Sequence, residues 1–314
     1  MNQFIKICEV APRDGLQNEP KTLPVENRIE FIKQLRNAGC QTIEVGSFVN
    51  PKAVPAMADS LAVFQGCREL IDDGHLSVLV MNERGLEQAL DAGVKSVSMA
   101  TFVSDTLCLK NTRKDAASLN EHVLAMCRTA KQEGLFVRLA LSPAWHCPYE
   151  GKIPVESVLK LFEKLYLSDA DEIALGDTIG AAVPNEVSQL LERISQYYPV
   201  KRLAVHLHDT RGFALANAAM ALQAGVRIFD TSSGGLGGCP FAPGARGNLA
   251  TEDLVLMSRQ MGFEHGIDID QLVPAIESIG RQLEKSVGGR CFDWWKSQST
   301  PREHGGSPIE QSVN

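Results

Sequence analysis

Eight short runs of apolar residues, many of them β-branched, alternate with amphipathic stretches along most of this chain. Short apolar runs predict buried strands, whereas apolar positions recurring roughly every three to four residues predict helices. Strict alternation of the two is typical of folds built on a parallel sheet. The predicted strands are 5–10, 42–48, 76–80, 96–103, 136–142, 172–178, 203–209 and 227–232.

Two parallel architectures accommodate this order, an open doubly wound sheet and a closed barrel. The turn after the first strand reads Arg-Asp-Gly-Leu-Gln-Asn at 13–18, without the Gly-x-Gly-x-x-Gly of a dinucleotide-binding sheet. The sequence also contains no Walker A motif. Because eight strand–helix units suit a closed barrel, we predict a single (β/α)8 TIM barrel with a C-terminal helical appendage.

The length of 314 residues exceeds the roughly 250 that such a barrel uses. A glycine-rich loop at 234–247 follows the eighth strand, and helical patterns cover 251–261 and 269–287. We therefore expect a catalytic barrel over 1–255, a helical extension packed on it over 256–295, and a polar, flexible tail over 296–314. No linker separates two cores, and a homodimer is our expectation for the assembly.

Charge and cysteine content restrict the environment and the partners. The net charge is −7, from 31 Lys and Arg against 38 Asp and Glu, so no overall basic character favours nucleic acid or an anionic membrane. Neither a secretory signal nor an apolar run long enough for a membrane span is visible. The eight dispersed cysteines form no CxxC pair, and we expect reduced thiols and a cytoplasmic protein.

Charged residues recur where the predicted strands end, which is where barrel enzymes carry their active sites. His206 and His208 lie two residues apart in the seventh strand and so project from one face. Asp14, just after the first strand, is within reach because only the eighth strand intervenes in a closed barrel. Two core histidines hydrogen-bonded to carboxylates are the alternative, but the cluster favours a divalent metal such as Mg, Mn or Zn.

The glycine-rich stretch Gly-Gly-Leu-Gly-Gly-Cys-Pro at 234–240 is the second strong signal. Four glycines in five positions suit a loop that approaches a substrate closely and closes over it. Its one reactive side chain is the thiol of Cys239. A turn-rich connector with an incidental cysteine is the alternative, and the location at the catalytic face favours function.

Other polar residues at the strand ends carry weaker expectations. Arg13 beside Asp14 is either a structural ion pair or, as we favour, a group that stabilises developing negative charge on a substrate oxygen. Glu44, inside the second strand, is expected to orient Arg13 or a histidine. Asp177 and Thr178 are suggestive by position only.

Several long motifs, in family order between about residues 5 and 255, resemble those of 3-hydroxy-3-methylglutaryl-CoA lyases. They are Ala-Pro-Arg-Asp-Gly-Leu-Gln-Asn-Glu at 11–19, Ile-Glu-Val-Gly-Ser-Phe-Val at 43–49, Cys-Pro-Tyr-Glu-Gly at 147–151, Leu-Gly-Asp-Thr-Ile-Gly at 175–180, Val-His-Leu-His-Asp-Thr at 205–210, Gly-Leu-Gly-Gly-Cys-Pro at 235–240 and Gly-Asn-Leu-Ala-Thr-Glu-Asp-Leu at 247–254.

The resemblance implies a metal, Mg or Mn, held by Asp14, His206, His208 and Asn248. Asn248 enters through the resemblance alone. Catalytic roles are implied for Arg13, Asp14, His206 and Cys239. Roles in substrate binding or in supporting these groups are expected for Gln17, Glu44, Arg138, Ser142, Asp177, Thr178, Gly237 and Gly238.

The implied reaction is a retro-Claisen cleavage of an acyl-CoA substrate, 3-hydroxy-3-methylglutaryl-CoA, to acetyl-CoA and acetoacetate. A base, either Asp14 or a histidine, takes the hydroxyl proton as the C2–C3 bond breaks. Arg13 stabilises the thioester enolate, and Cys239 protonates it, since a thiol with an ordinary pKa of about 8.5 is protonated near neutrality. Such a lyase belongs to leucine degradation and ketone-body formation.

The sequence departs from the family at positions that bear on the acyl group. Gly46 stands where Thr is usual, and Ala140 where an aromatic residue is frequent. Both changes suggest room for a bulkier substituent on C3. A Claisen-condensing synthase or aldolase on the same barrel is an alternative, although those enzymes normally lack the cysteine-bearing glycine loop. A CoA-ester binding protein without catalysis is the alternative outside enzymes.

Overall fold

A computed structural model describes residues 4–68, 75–237 and 247–299 of the chain. Its centre is a closed barrel of parallel strands. The strands are β1 (Lys6–Glu9), β2 (Thr42–Phe48), β3 (Leu76–Val80), β4 (Ser96–Phe102), β5 (Phe136–Ser142), β6 (Glu172–Asp177), β7 (Leu203–Leu207) and β8 (Ile228–Thr231). All eight predicted strands are confirmed, each within two residues at either end, and β8 pairs with both β1 and β7.

Helices cover the outside of the barrel and shield the strands from water. They are α1 (Val25–Asn37), α2 (Ser60–Arg68), α3 (Glu83–Asp91), α4 (Asp105–Thr112), α5 (Ala116–Gln132), α6 (Val155–Tyr166), α7 (Pro184–Ser195), α8 (Ala214–Gln223), α9 (Thr251–Gln260), α10 (Ile269–Leu283) and α11 (Phe292–Ser299). The sequence patterns did not predict α2, α4 and α11. Each of these is short, with eight or nine residues, and so offers few turns of apolar periodicity.

The main apolar core lies between the strands and the helices, while the lumen of the barrel is polar. Lys6, Arg138, Glu172 and Asp230 all reach into the lumen, where Lys6 Nζ lies 2.6 Å from Glu172 Oε1 and Arg138 Nη2 lies 2.6 Å from Asp230 Oδ1. Pairing of opposite charges offsets the cost of removing them from water. The lumen is therefore organised by ion pairs rather than by interlocking aliphatic side chains.

Two buried glutamates hold the start of the glycine-rich loop. Glu9, at the end of β1, accepts hydrogen bonds from the backbone N–H of Ser233 and from the hydroxyl of Thr251, at 3.0 and 2.7 Å. Glu252 accepts from the backbone N–H groups of Gly234 and Gly289. The loop thus begins from a fixed position that both β1 and the C-terminal extension define.

The C-terminal segment contacts the barrel through Asp253 and Asp209. Asp253 accepts from the backbone N–H groups of Arg290 and Cys291, each at 2.8 Å, and Arg290 forms an ion pair with Asp209. The last described helix, α11, ends at Ser299. Within the described ranges, every helix is too short or too polar to cross a membrane.

Candidate metal and acyl-CoA site

Three side chains from different parts of the sequence meet at the carboxyl ends of the strands. Asp14 lies in a π-helical turn, Ala11–Gly15, that follows β1 directly. His206 lies in β7, and His208 follows the end of that strand. One ligand atom from each of these three residues lies within 4.8 Å of the other two, and the two Nε2 atoms are 3.2 Å apart. The structure therefore assembles the triad that the sequence predicted.

Asn248 completes the cluster. Its backbone pairs with that of His208 in an isolated antiparallel bridge, which brings its side chain next to β7. Its amide Nδ2 donates to Asp14 Oδ2 at 2.8 Å and to the Leu236 carbonyl at 3.1 Å. Gly237 packs against this amide, since a Cβ there would lie 2.6 Å from Asn248 Nδ2. The sequence alone offered no signal for Asn248 other than the resemblance of its motif.

Arg13 and Glu44 border the cluster on the β2 side. Arg13 Nη1 lies 2.7 Å from Asp14 Oδ1, and Arg13 Nε donates to Glu44. Glu44 also accepts from the hydroxyl of Ser98 on β4, and Gln17 donates to Asp14 at 3.0 Å. Glu44 thus contacts Arg13, one of the two partners expected for it. Both ion pairs leave part of the guanidinium facing the cavity that Arg13 lines.

A second carboxylate lies behind His206. Asp230 Oδ2, on β8, is 3.1 Å from His206 Nδ1, and the other oxygen of Asp230 faces Arg138 on β5. A carboxylate that holds the outer ring nitrogen of a histidine is the usual support of a metal ligand. The expectations from sequence did not include Asp230. Its signal was the recurrence of a charged residue near the end of a predicted strand.

The electrostatics of the cluster follow from these contacts. Loss of solvation alone would raise the pKa of Asp14, but the charges of Arg13 and His206 outweigh it and lower that pKa below the ordinary range. Loss of solvation lowers the pKa of His206, whereas the hydrogen bond to Asp230 and its charge raise it more, so the net shift is upward. Burial and neighbouring His206 lower the pKa of His208 to about 4. The carboxylate of Asp14 and the imidazole of His208 are consequently ready to donate lone pairs at neutral pH.

A divalent cation fits this donor set. One carboxylate and two imidazoles converge within 4.8 Å, and a supporting carboxylate holds His206 from behind. Mixed oxygen and nitrogen donors of this type bind Mg, Mn, Zn and related ions. His208 Nδ1 is buried and has no hydrogen-bond partner among the described residues, and His208 Nε2 faces His206 Nε2.

Other expected site residues lie nearby but face different partners. The buried carboxylate of Asp177 accepts from the backbone N–H groups of Ala181 and Ala182 at 3.0 and 3.3 Å, and so shapes the turn before α7. Burial raises the pKa of Asp177 to about 6. Thr178 follows in that turn, and Ser142 lines the cavity at the carboxyl end of β5. Gly238 and Cys239 lie outside the described residues.

The expectation that Gly46 enlarges the acyl pocket is wrong. A Cβ at Gly46 would lie 2.5 Å from Ser60 Oγ, on α2, and 3.4 Å from Arg28 Nη2. The pairing register of β2 with β3 changes between residues Glu44 and Gly46 of β2. This irregularity turns Gly46 toward the helices rather than toward the lumen. Ala140, by contrast, lines the cavity as expected.

The fold and this cluster define a class of protein, a TIM-barrel enzyme with the donor set of a divalent-metal centre at the carboxyl ends of its strands. Comparison with known proteins gives the particular family. The family model described as HMGL-like matches residues 4–279. With that match spanning most of the chain, the protein belongs to the HMGL-like family.

Individual relatives cover nearly the whole sequence. The chain is 42% identical over 295 residues to hydroxymethylglutaryl-CoA lyase of Bacillus subtilis (strain 168), covering 93% of this chain and 98% of that one. It is 41% identical over 286 residues to mitochondrial hydroxymethylglutaryl-CoA lyase of Homo sapiens, covering 91% and 88%.

Solved structures of hydroxymethylglutaryl-CoA lyases have the same fold as this chain. The crystal structure of the Bacillus subtilis HMG-CoA lyase superimposes with a TM-score of 0.90 at 40% identity and covers 94% of this chain and all of that one. An HMG-CoA lyase from Acinetobacter baumannii, in complex with coenzyme A and 3-methylmalate, gives a TM-score of 0.87 at 32% identity, with 98% of each chain covered. The predicted barrel and the predicted family are both confirmed.

Proposed function

We propose that this protein is a metal-dependent carbon–carbon lyase that cleaves 3-hydroxy-3-methylglutaryl-CoA to acetyl-CoA and acetoacetate. The observation that carries the proposal is the convergence of Asp14, His206 and His208 beside the guanidinium of Arg13. Relatives named as hydroxymethylglutaryl-CoA lyases support the substrate, and one of their structures contains coenzyme A.

Asp14, His206, His208 and the amide oxygen of Asn248 would hold the metal, for which Mg or Mn is our assignment. The bound cation would polarise the C3 hydroxyl and an adjacent carboxylate oxygen of the substrate. Asp230 would keep the His206 ring in its orientation through Nδ1. Arg138 on the far side of Asp230 would in turn hold that carboxylate in place.

Cleavage removes the proton of the C3 hydroxyl, forms the new carbonyl at C3 and leaves the C2–C3 electron pair on a thioester enolate. The Asp14 carboxylate and the ring nitrogens of the two histidines are the groups that can accept the proton. Arg13 would stabilise the enolate oxygen, because its charge is held at the cluster by Glu44. Cys239 is assigned, from its motif, as the donor that protonates C2 to give acetyl-CoA.

A coupled assay for acetyl-CoA tests the proposal. Purified chain is incubated with 3-hydroxy-3-methylglutaryl-CoA and Mg or Mn, and then with a chelator before metal is restored. We expect release that stops with chelator and returns with metal. Failure to release acetyl-CoA while calorimetry shows bound metal would exclude this substrate.

For assembly and location we propose a homodimer in the cytoplasm. All seven cysteines within the described residues are free thiols, which fits a reducing compartment. Light scattering after size-exclusion chromatography should give twice the mass of the chain, and a monomer mass would contradict the dimer. Fractionation of the source cells should place the protein with soluble cytoplasmic markers.

A further inference from the structure

A cavity of about 670 Å³ extends from the metal cluster down into the lumen of the barrel. Asp14, His206 and Arg13 lie at its upper end, and Arg138 and Glu172 line it further down. Since the substrate's C3 carbon would lie next to the metal cluster, the upper part of this cavity is where the C3 substituent would project. A methyl group needs only ~30 Å³, which is the volume that one water molecule occupies in the liquid.

At one level of the lumen, three neighbouring strands each carry an alanine. Ala100 on β4 is the register partner of Ala140 on β5, which is the register partner of Ala174 on β6. All three line the cavity. Gly176, two residues above Ala174 and paired with His206, lies behind the side chain of Ser142, because a Cβ added there would clash with the Ser142 hydroxyl. The open apolar wall is therefore formed by Ala100 and Ala140, which are partly exposed, whereas Ala174 is only 1% exposed.

The depth of the apolar part is set by the next level of side chains. Two residues down each strand, Ser98 replaces Ala100 and Arg138 replaces Ala140. Two residues of a strand advance about 6.6 Å. An apolar chain of about four carbons spans this distance. Glu172 and the Arg138 guanidinium, which reaches Asp230, border the apolar part and would disfavour further apolar atoms.

We infer that the preferred substrate carries an apolar C3 substituent of about four carbons in place of the methyl group, seated against Ala100 and Ala140. The inference rests on the proposed lyase function and specifies its substrate class. A methyl group would leave most of this wall uncovered and would forgo the burial of the additional methylenes. The small residues therefore set acyl specificity.

Two substrates that differ only at C3 test the inference. The kcat/KM for release of acetyl-CoA is compared between 3-hydroxy-3-methylglutaryl-CoA and its C3 n-butyl analogue. We expect the butyl substrate to be favoured by about tenfold or more. Cleavage of the methyl substrate with an equal or higher kcat/KM would overturn the inference and leave the lyase function standing. Cleavage of neither substrate would overturn both.

Ala140→Phe tests the wall itself. The ring would fill the space that the butyl group needs, so the butyl-to-methyl ratio of kcat/KM should fall by about tenfold or more. Ala140→Val is a smaller filler for use if the larger variant folds poorly, and it should shift the ratio in the same direction. Ala125→Phe, on the exposed side of α5, is the matched control and should leave both the ratio and the activity unchanged. An unchanged ratio in both Ala140 variants would overturn the assignment of this wall.

Discussion

Asp230 Oδ2 lies 3.1 Å from His206 Nδ1, so a buried carboxylate stands directly behind one of the three converging side chains Asp14, His206 and His208. The hydrogen bond fixes the ring plane and directs Nε2 toward Asp14 and His208. Arg138 keeps Asp230 charged, since its guanidinium lies 2.6 Å from the other carboxylate oxygen. Metal affinity is therefore expected to depend on a residue that does not touch the metal.

Asp230→Asn should weaken binding of Mn by about 10- to 100-fold, because the amide holds the ring less firmly and supports ligand basicity less well. Isothermal titration with Mn measures the change without reference to catalysis. Asp171→Asn is the control, since Asp171 forms its ion pair with Lys131 on α5. Equal Mn affinity in the Asp230 variant and the native protein would show that Asp230 has no supporting role.

Gly237→Ala should lower kcat strongly, by about 10²-fold, with much less effect on folding. The new Cβ would lie 2.6 Å from Asn248 Nδ2 and 3.1 Å from the Asp14 carbonyl oxygen, and the residue has φ of +96°. Displacement of Asn248 should also weaken Mn binding.

Gly134→Ala is the control that distinguishes the effect of the contact with Asn248 from the effect of backbone strain. Gly134 also has positive φ, at +76°, but a Cβ added there would meet no atom within 4 Å beyond its chain neighbours. Thermal unfolding should show a loss of stability on the order of 1 kcal/mol in Gly134→Ala and a larger loss in Gly237→Ala, whose Cβ also meets Asn248. Comparable kcat in both would contradict a specific role for the contact with Asn248.

Glu252→Gln should flatten the pH dependence of stability on the acid side of neutrality. Burial raises the pKa of Glu252 from 4.5 to about 7, so the folded state holds its proton more tightly than the unfolded chain does. The stabilisation is complete below about pH 4.5 and is lost as the pH rises to about 7. Glutamine has no proton to lose, and the native protein should lose stability relative to the variant over this interval.

Urea unfolding at several pH values between 4.5 and 7 gives the difference in the free energy of unfolding directly. Glu133→Gln, at an exposed helix end, serves as control and should follow the native curve. Parallel curves for the native protein and Glu252→Gln would refute the expected linkage.

Cys239→Ala should reduce turnover by about 10²- to 10⁴-fold while binding of metal and of CoA esters persists, because only proton delivery is removed. Stopped-flow release of acetyl-CoA, together with calorimetric binding of a non-hydrolysable CoA analogue, distinguishes the two effects. Cys108→Ala is the control, since that thiol packs against Thr112 on α4. Undiminished turnover in the Cys239 variant would favour another proton donor.

The sequence determined the strands of this protein and the residues that end them. Short apolar runs separated by amphipathic helices leave a parallel barrel as the consistent arrangement, because each strand is buried on its outer face by a helix. The period of two in a strand placed His206 and His208 on one face without knowledge of the fold. Asn248 was identified only through the resemblance of its motif to the family, because no local pattern of residues could have revealed it.

Only the tertiary structure decided which side chains face the lumen and which partners they meet there. Asp230 lies behind His206 because β8 and β7 are neighbours in the closed barrel, although 24 residues separate the two in sequence. Gly46 faces α2 because an irregularity in β2 shifts the register, an effect invisible in the residue pattern. Ala100, Ala140 and Ala174 lie at one level of the lumen because their strands align in register. Periodicity fixes how side chains alternate along one strand, whereas register and closure between strands arise from contacts that the whole chain makes together.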